Sequence, residues 1–213
     1  MEEHHINVPR TARYHTVGDG GTARAIWIVL HGYGQLARYF LRKFEGLDAG
    51  LLIVAPEGLS RFYTDEAHSR VGAAWMTRED RDHEIADQIS YLDSLVEELR
   101  RITGPVPLHV LGFSQGVATA CRWSLQGRTT INRMVLWAGA LPPEPAPEDL
   151  QPWNNMDLHL VLGTHDQYAS DQELQQQIAR LNMVKVRHQA HRFHGGHELN
   201  KRLLASLLAS GPP

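Results

Sequence analysis

Cysteine is nearly missing from the sequence. Cys121 stands alone among 213 residues, so no internal disulfide can form and the fold must rest on burial. An excess of charge of one sign is missing too: 21 Lys and Arg face 24 Asp and Glu, for a formal net charge of -3. No Lys/Arg run occurs and the arginines are scattered among acids, which removes the electrostatic case for a nucleic-acid partner. There is no apolar run long enough to span a bilayer, so no integral membrane segment is expected. The first residues, Met1-Glu2-Glu3-His4-His5, are acidic and polar where a secretory signal is basic and then apolar. These absences predict a cytoplasmic chain and are compatible with a reducing compartment, with Cys121 serving as a small buried apolar residue. Internal repeats, low-complexity tracts and linkers are also lacking. With 42% hydrophobic and 21% charged residues, one domain over 1–213 with a sizeable core is expected.

What is present is an alternation of strand-like and helix-like segments. Ala25–Leu30 and Leu51–Val54 are continuously apolar and of strand length, as in a parallel sheet buried on both faces. Pro107–Leu111, Arg133–Trp137 and Asp157–Leu162 extend the series, and Val184–His191 alternates as a strand. Leu36–Phe44, Asp82–Arg101, Val117–Leu125, Asp171–Leu181 and Leu199–Leu208 carry helical spacing. Ile6–Val17 alternates weakly and reads as an edge hairpin or meander. Leu59–Asp80 and the proline-rich 141–152 read as irregular loops. The pattern predicts a three-layer α/β domain: a mainly parallel central sheet with helices on both faces. In such sheets chemistry gathers at the carboxyl ends of the strands.

The stretch Val110-Leu111-Gly112-Phe113-Ser114-Gln115-Gly116-Val117 passes from strand through a very sharp turn into helix. That is the context of a nucleophile elbow, where small flanking residues let a serine occupy a strained backbone and lift its hydroxyl clear of the sheet. The helix beginning beside it directs free amides toward developing negative charge. A serine hydroxyl needs a base, and the base needs an acceptor that fixes its tautomer. Asp166 and His197 follow in the order acid then histidine, each after a strand. Asp166 also has a plain reading as a turn residue after Gly163-Thr164. His188, His191, His194 and His197 recur every third residue, but that spacing alternates faces on a strand and the Gly195-Gly196 break interrupts a helix, so no metal is expected. Directly after the first buried strand, His31-Gly32-Tyr33-Gly34-Gln35 resembles the loop that completes an oxyanion hole. The backbone N–H groups of Tyr33 and Gln115 are the expected donors, and His31 is expected to order the loop rather than act as a second base.

Together, His31-Gly32-Tyr33-Gly34, the Gly112–Gly116 elbow, Trp75 before the long helix, Gly163 through Asp166 and Gly196-His197-Glu198 resemble the phospholipase/carboxylesterase family of α/β-hydrolases. The resemblance runs from Ala25 to Leu208. It implies a compact α/β-hydrolase fold without a large cap domain, a cofactor-free reaction on small-molecule esters or thioesters, and a Ser114, Asp166, His197 triad. It is compatible with a homodimer. Gln35 departs from the pattern, since relatives usually carry Asp there. Tyr33, Phe62, Tyr63, Trp75, Met76 and Leu141 are expected to rim the acyl pocket, each with a plain alternative as a core or loop-anchoring residue. No basic patch awaits an anionic head group, so neutral esters with short to medium acyl chains are the expected substrates. An acyl thioesterase or lysophospholipase is the alternative within enzymes, and a catalytically silent binding protein the alternative outside them.

Overall fold

The computed structural model describes residues 1–209. Its strands, in chain order, are β1 (Tyr14–Val17), β2 (Ile26–Leu30), β3 (Leu52–Pro56), β4 (Ser60–Tyr63), β5 (Val71–Ala74), β6 (Leu108–Phe113), β7 (Arg133–Trp137), β8 (Asp157–Gly163) and β9 (Gln189–Phe193). The main helices are α1 (Ala37–Leu41), α2 (Arg81–Thr103), α3 (Gln115–Gln126), α4 (Asp171–Met183) and α5 (Lys201–Ala209). Seven strands form one sheet in the order β1-β3-β2-β6-β7-β8-β9, and β4 and β5 form a separate hairpin. Only β1 pairs antiparallel within the large sheet; every other neighbouring pair in it is parallel.

Side chains that alternate along each strand supply two cores. Ile26, Ile28, Leu30, Val110, Met134 and Leu160 face α2, α3 and α4 through Leu92, Val96, Val117, Cys121 and Leu174. Trp27, Val29, Leu111, Val135 and Val161 face α1 and α5 through Phe40, Leu204 and Leu207. Strands apolar on both faces therefore sit between two helical layers, as parallel crossovers require. Helix α2 stops at Gly104, whose φ of +69° suits glycine and whose N–H closes on the Arg100 carbonyl at 3.0 Å. Cys121 is fully buried, and burial pushes its thiol pKa up to about 12. No helix among the described residues is long and apolar enough to cross a membrane.

Four segments differ from expectation. Of Ile6–Val17 only Tyr14–Val17 is a strand; it adds to β3, and residues 1–13 carry no helix or strand. Leu59–Asp80 is not irregular throughout, because β4 and β5 pair from Ser60↔Ala74 to Tyr63↔Val71. The proline-rich loop contains a 3₁₀ segment, Pro147–Asn155, anchored by Leu150 and Trp153, both fully buried. The last strand begins at Gln189 rather than Val184. The Val186 N–H bonds back to the Leu181 carbonyl at 3.0 Å around Lys185, whose φ is +58°, so this stretch closes α4 instead of joining the sheet.

Candidate active site

Ser114 follows β6 directly, with φ 54° and ψ -117°, a backbone region an L-residue adopts only under constraint. The constraint is close packing. A Cβ on Gly112 would lie 2.4 Å from the Gly116 carbonyl oxygen, and one on Gly116 would lie 2.3 Å from that of Leu30. Glycine at 112 thus lets β6 turn into α3, and glycine at 116 lets α3 approach β2. The Ser114 N–H is held by the Trp137 carbonyl at 2.9 Å.

The loops after β8 and β9 bring Asp166 and His197 to this hydroxyl. Ser114 Oγ lies 3.0 Å from His197 Nε2, and His197 Nδ1 lies 2.8 Å and 3.1 Å from the two Asp166 oxygens. The Asp166 side chain is fully buried and also accepts the Tyr168 and Ala169 N–H groups, at 2.8 and 3.0 Å, on Oδ1. Phe113 and Tyr168 flank the His197 ring, each with centroids 4.9 Å away. Acceptor, base and hydroxyl thus form one hydrogen-bonded line, and aromatic contacts limit rotation of the middle member. The other three histidines of the run disperse: His188 contacts its own turn, His191 pairs with His159, and His194 packs on His165.

The loop after β2 lies against the elbow. Neither Tyr33 N–H nor Gln115 N–H has an acceptor among the described residues. Several groups around them are engaged. Gln35 Oε1 accepts the Gly32 N–H at 2.9 Å, Gly34 N–H donates to Ala73 O at 2.9 Å, and Ala73 N–H donates to Gln35 O at 3.3 Å. Hairpin β4–β5 is therefore a brace for this loop. Gln115 ties the same brace to the elbow, its side chain accepting from Trp75 N–H at 3.0 Å and donating to Met76 O at 2.9 Å. His31 is fully buried, and burial holds its imidazole below the ordinary pKa. The Gly58 N–H donates to its Nε2 at 3.0 Å, so Nδ1 carries the proton and donates to Gly32 O at 2.8 Å. This is the ordering role expected of His31.

The cavity at Ser114, about 290 Å³, has walls different from those expected. Ala118, Ala138, Ala140 and Ala169 give it small apolar surfaces, and Tyr168, Glu173 and Gln177 give it a polar side. None of Tyr33, Phe62, Tyr63, Trp75, Met76 or Leu141 lines it. Trp75 is 1% exposed, and its indole N–H donates to His31 O at 2.8 Å, making it a core anchor. Leu141 is buried too, with its N–H on Gln177 Oε1. Met76 Sδ contacts Arg122 at 3.2 Å, and Tyr33 and Tyr63 pack at a tilt on Phe62 and His68 with centroids 5.1 and 4.5 Å apart. Ser170-x-x-Glu173 marks a capping box that starts α4, formed here with the Ser170 N–H on Glu173 Oε2 at 2.7 Å, but neither that signal nor the polar amphipathic pattern marks Glu173 or Gln177 as facing a cavity.

A parallel sheet between two helical layers, with a strained serine between strand and helix, defines an α/β-hydrolase. The chain belongs to the phospholipase/carboxylesterase family, whose model matches residues 14–210, and it is a carboxylic ester hydrolase by class. Among solved structures it is similar to a carboxylesterase from Mesorhizobium loti, at 16% identity and TM-score 0.73 over 94% of this chain and 95% of that one. It is likewise similar to acyl-protein thioesterase 2 of Zea mays, at 20% identity and TM-score 0.71 over 93% and 96%, and to the Bacillus cereus carboxylesterase, at 14% identity and TM-score 0.68 over 92% of each. At such identities the likeness speaks to the fold. No curated protein sequence matches the chain significantly.

Proposed function

We propose that the chain hydrolyses neutral carboxylic esters of short to medium acyl length through a Ser114–His197–Asp166 triad. The observation that carries this reading is the unbroken hydrogen-bonded line from a buried carboxylate through Nδ1 and Nε2 of one imidazole to a strained serine hydroxyl. Ser114 Oγ attacks the carbonyl carbon while its proton passes to His197 Nε2, and the Nδ1 proton stays hydrogen-bonded to Asp166. The N–H groups of Tyr33 and Gln115 hold the oxygen that becomes negative. Collapse of the tetrahedral species returns the proton to the departing alcohol and leaves an acyl-serine. Water, deprotonated by the same imidazole, then releases the acid. The alanine-walled cavity is at the small end of the roughly 300–1,000 Å³ typical of ligand pockets, which favours a short acyl group.

Ser114→Ala is expected to lower kcat/KM on p-nitrophenyl acetate by at least about 10³-fold and to abolish labelling by a fluorophosphonate probe. Unchanged hydrolysis in that variant refutes the assignment. A chain-length series with an optimum beyond about twelve carbons refutes the acyl-size reading. Thioester hydrolysis is the second reading, since the likeness to the maize acyl-protein thioesterase is as full as that to the carboxylesterases. Matched oxyester and thioester pairs separate the two.

A further inference from the structure

We propose that His5, Asp80 and His83 form a binding site for a divalent cation of the zinc class, which staples the N-terminal arm to the start of α2. The three residues come from two places in the chain. His5 lies in the arm, which has no helix or strand of its own, while Asp80 and His83 sit at the first turn of α2. Asp80 Oδ1 is 2.6 Å from His83 Nδ1 and 3.2 Å from His5 Nε2, and all three ligand atoms lie within 4.8 Å of one another. Donors about 2.0–2.1 Å from a tetrahedral zinc stand about 3.3 Å apart, so the His5–Asp80 spacing already fits and the His83–Asp80 pair must open by less than about 1 Å. A metal ion would take the place of the proton that Asp80 and His83 share.

Asp80 behaves unlike a structural helix cap. Aspartate at an N-cap normally accepts an N–H of the first turn, but here the side chain makes no cap hydrogen bond and the residue sits at φ +47°. Its carboxylate is turned outward to the two imidazoles instead. Two imidazole nitrogens with one carboxylate oxygen suit zinc, nickel or copper and not calcium or magnesium, which favour all-oxygen cages. Glu3 Oε1, 3.4 Å from His5 Nε2, or a water supplies a fourth donor. All three residues are exposed, so an ion can reach them without rearrangement of the core. The set shares no residue with the Ser114 site and is separate from the 188–197 histidine run.

A staple has something to do here. The arm passes over α2, where Ile6, Val8 and Arg10 wall a cavity of about 490 Å³ against Tyr91 and Trp75. Its apolar anchoring is slight, with Ile6 85% and Val8 69% exposed. Burial alone therefore holds this part of the arm weakly, and a coordinate bond at His5 would hold it firmly.

The test is calorimetric titration of zinc chloride into the metal-stripped full chain, with trypsin cleavage after Arg10 followed in parallel. The expected result is one zinc bound with a dissociation constant on the order of micromolar, weakened at least about tenfold in His5→Ala and in His83→Ala. Zinc is expected to slow cleavage after Arg10 severalfold in the parent and to have no such effect in His5→Ala. His5 lies outside every regular element, so loss of binding in that variant cannot be ascribed to misfolding. Absence of binding tighter than about 100 μM, or an affinity unchanged in both variants, overturns the proposal. So does cleavage indifferent to zinc.

Discussion

Asp166→Asn is the sharpest probe of the triad, because the structure dictates which way the new amide must point. Asp166 Oδ1 accepts two backbone N–H groups, those of Tyr168 and Ala169, at 2.8 and 3.0 Å. An amide NH₂ in that position would face two donors with its own hydrogens, so the asparagine oxygen must stay there. Its NH₂ then occupies the Oδ2 position, 2.8 Å from His197 Nδ1, and donates to it. The nearer contact then favours the imidazole proton on Nε2 over the 3.1 Å contact from Nδ1 to Oδ1, and Nε2 donates to Ser114 Oγ at 3.0 Å instead of accepting from it. The base is lost with hardly any atom displaced. The expected fall in kcat/KM on p-nitrophenyl acetate is about 10³–10⁴-fold, equivalent to about 4–5.5 kcal/mol at 1.36 kcal/mol per decade. The thermal midpoint should move little, because each hydrogen bond keeps a donor and an acceptor. Steady-state kinetics beside a melting curve decide the matter: a loss below tenfold with the fold intact refutes the view that Asp166 sets the tautomer of the base. Loss of activity together with a collapsed midpoint would make Asp166 a structural residue first.

Two further expectations follow from the geometry. Ala118→Leu fills a wall of the cavity beside Ser114, so the ratio of kcat/KM for butyrate over acetate esters should fall by at least about tenfold; a parallel change in both would place the acyl group elsewhere. Glu57 is 1% exposed, and although burial would raise its pKa, the hydrogen bonds and charges of Arg13 and Arg61 outweigh that and hold it below the ordinary value of 4.5. A carboxylate with a depressed pKa stabilises the fold above its unfolded pKa, and that stabilisation is lost as pH falls through the folded one. Urea unfolding at pH 7 should therefore show Glu57→Gln less stable by on the order of 1–2 kcal/mol, discounted because the two guanidinium groups are 44% and 41% exposed. The gap should narrow as pH falls below the ordinary value of 4.5 and through the depressed folded-state one, and a gap that widens in acid would reverse the sign of this account.

Much of the architecture is legible in the sequence because its signals are local. A run such as Ile26–Leu30, buried at every position, can only be a central strand, and the Gly112–Gly116 spacing can be read as a strand-to-helix turn without knowing what lies across the sheet. Where the structure departs from the sequence pattern, the deciding contact comes from elsewhere in the chain. Residues 59–80 look irregular because Ser60–Tyr63 and Val71–Ala74 are short, and β5 docks on the Gly34 and Gln35 backbone, a partner the sequence does not mark. Val184 and Val186 mimic strand alternation because both point into the core from the turn that closes α4. The lining of the pocket is hidden for the same reason. Trp75 and Leu141 are apolar residues beside the site, but burial sends them inward, and the cavity is left to alanines too small to announce a binding role.

The same long-range contacts give Gln35 its meaning. Gln35 stands where the resemblance leads one to expect Asp, a departure that leaves the proposed triad untouched and bears on substrate choice. The Gln35 side chain reaches the Gly32 N–H at 2.9 Å while its backbone pairs with Ala73, so the turn that presents Tyr33 is closed from within and braced from the hairpin. Gln115 repeats the device on the other side, its side chain bonded to Trp75 and Met76 while its backbone N–H has no acceptor among the described residues. Two glutamines thus tie one hairpin to both segments that carry the N–H groups proposed to hold the oxyanion. An oxyanion hole works when its donors are fixed before charge develops, because reorienting them during reaction would cost the stabilisation they supply. The side chain at position 35 closes the turn that carries Tyr33 on the Gly32 N–H, so the proposed donors are held in place before charge develops.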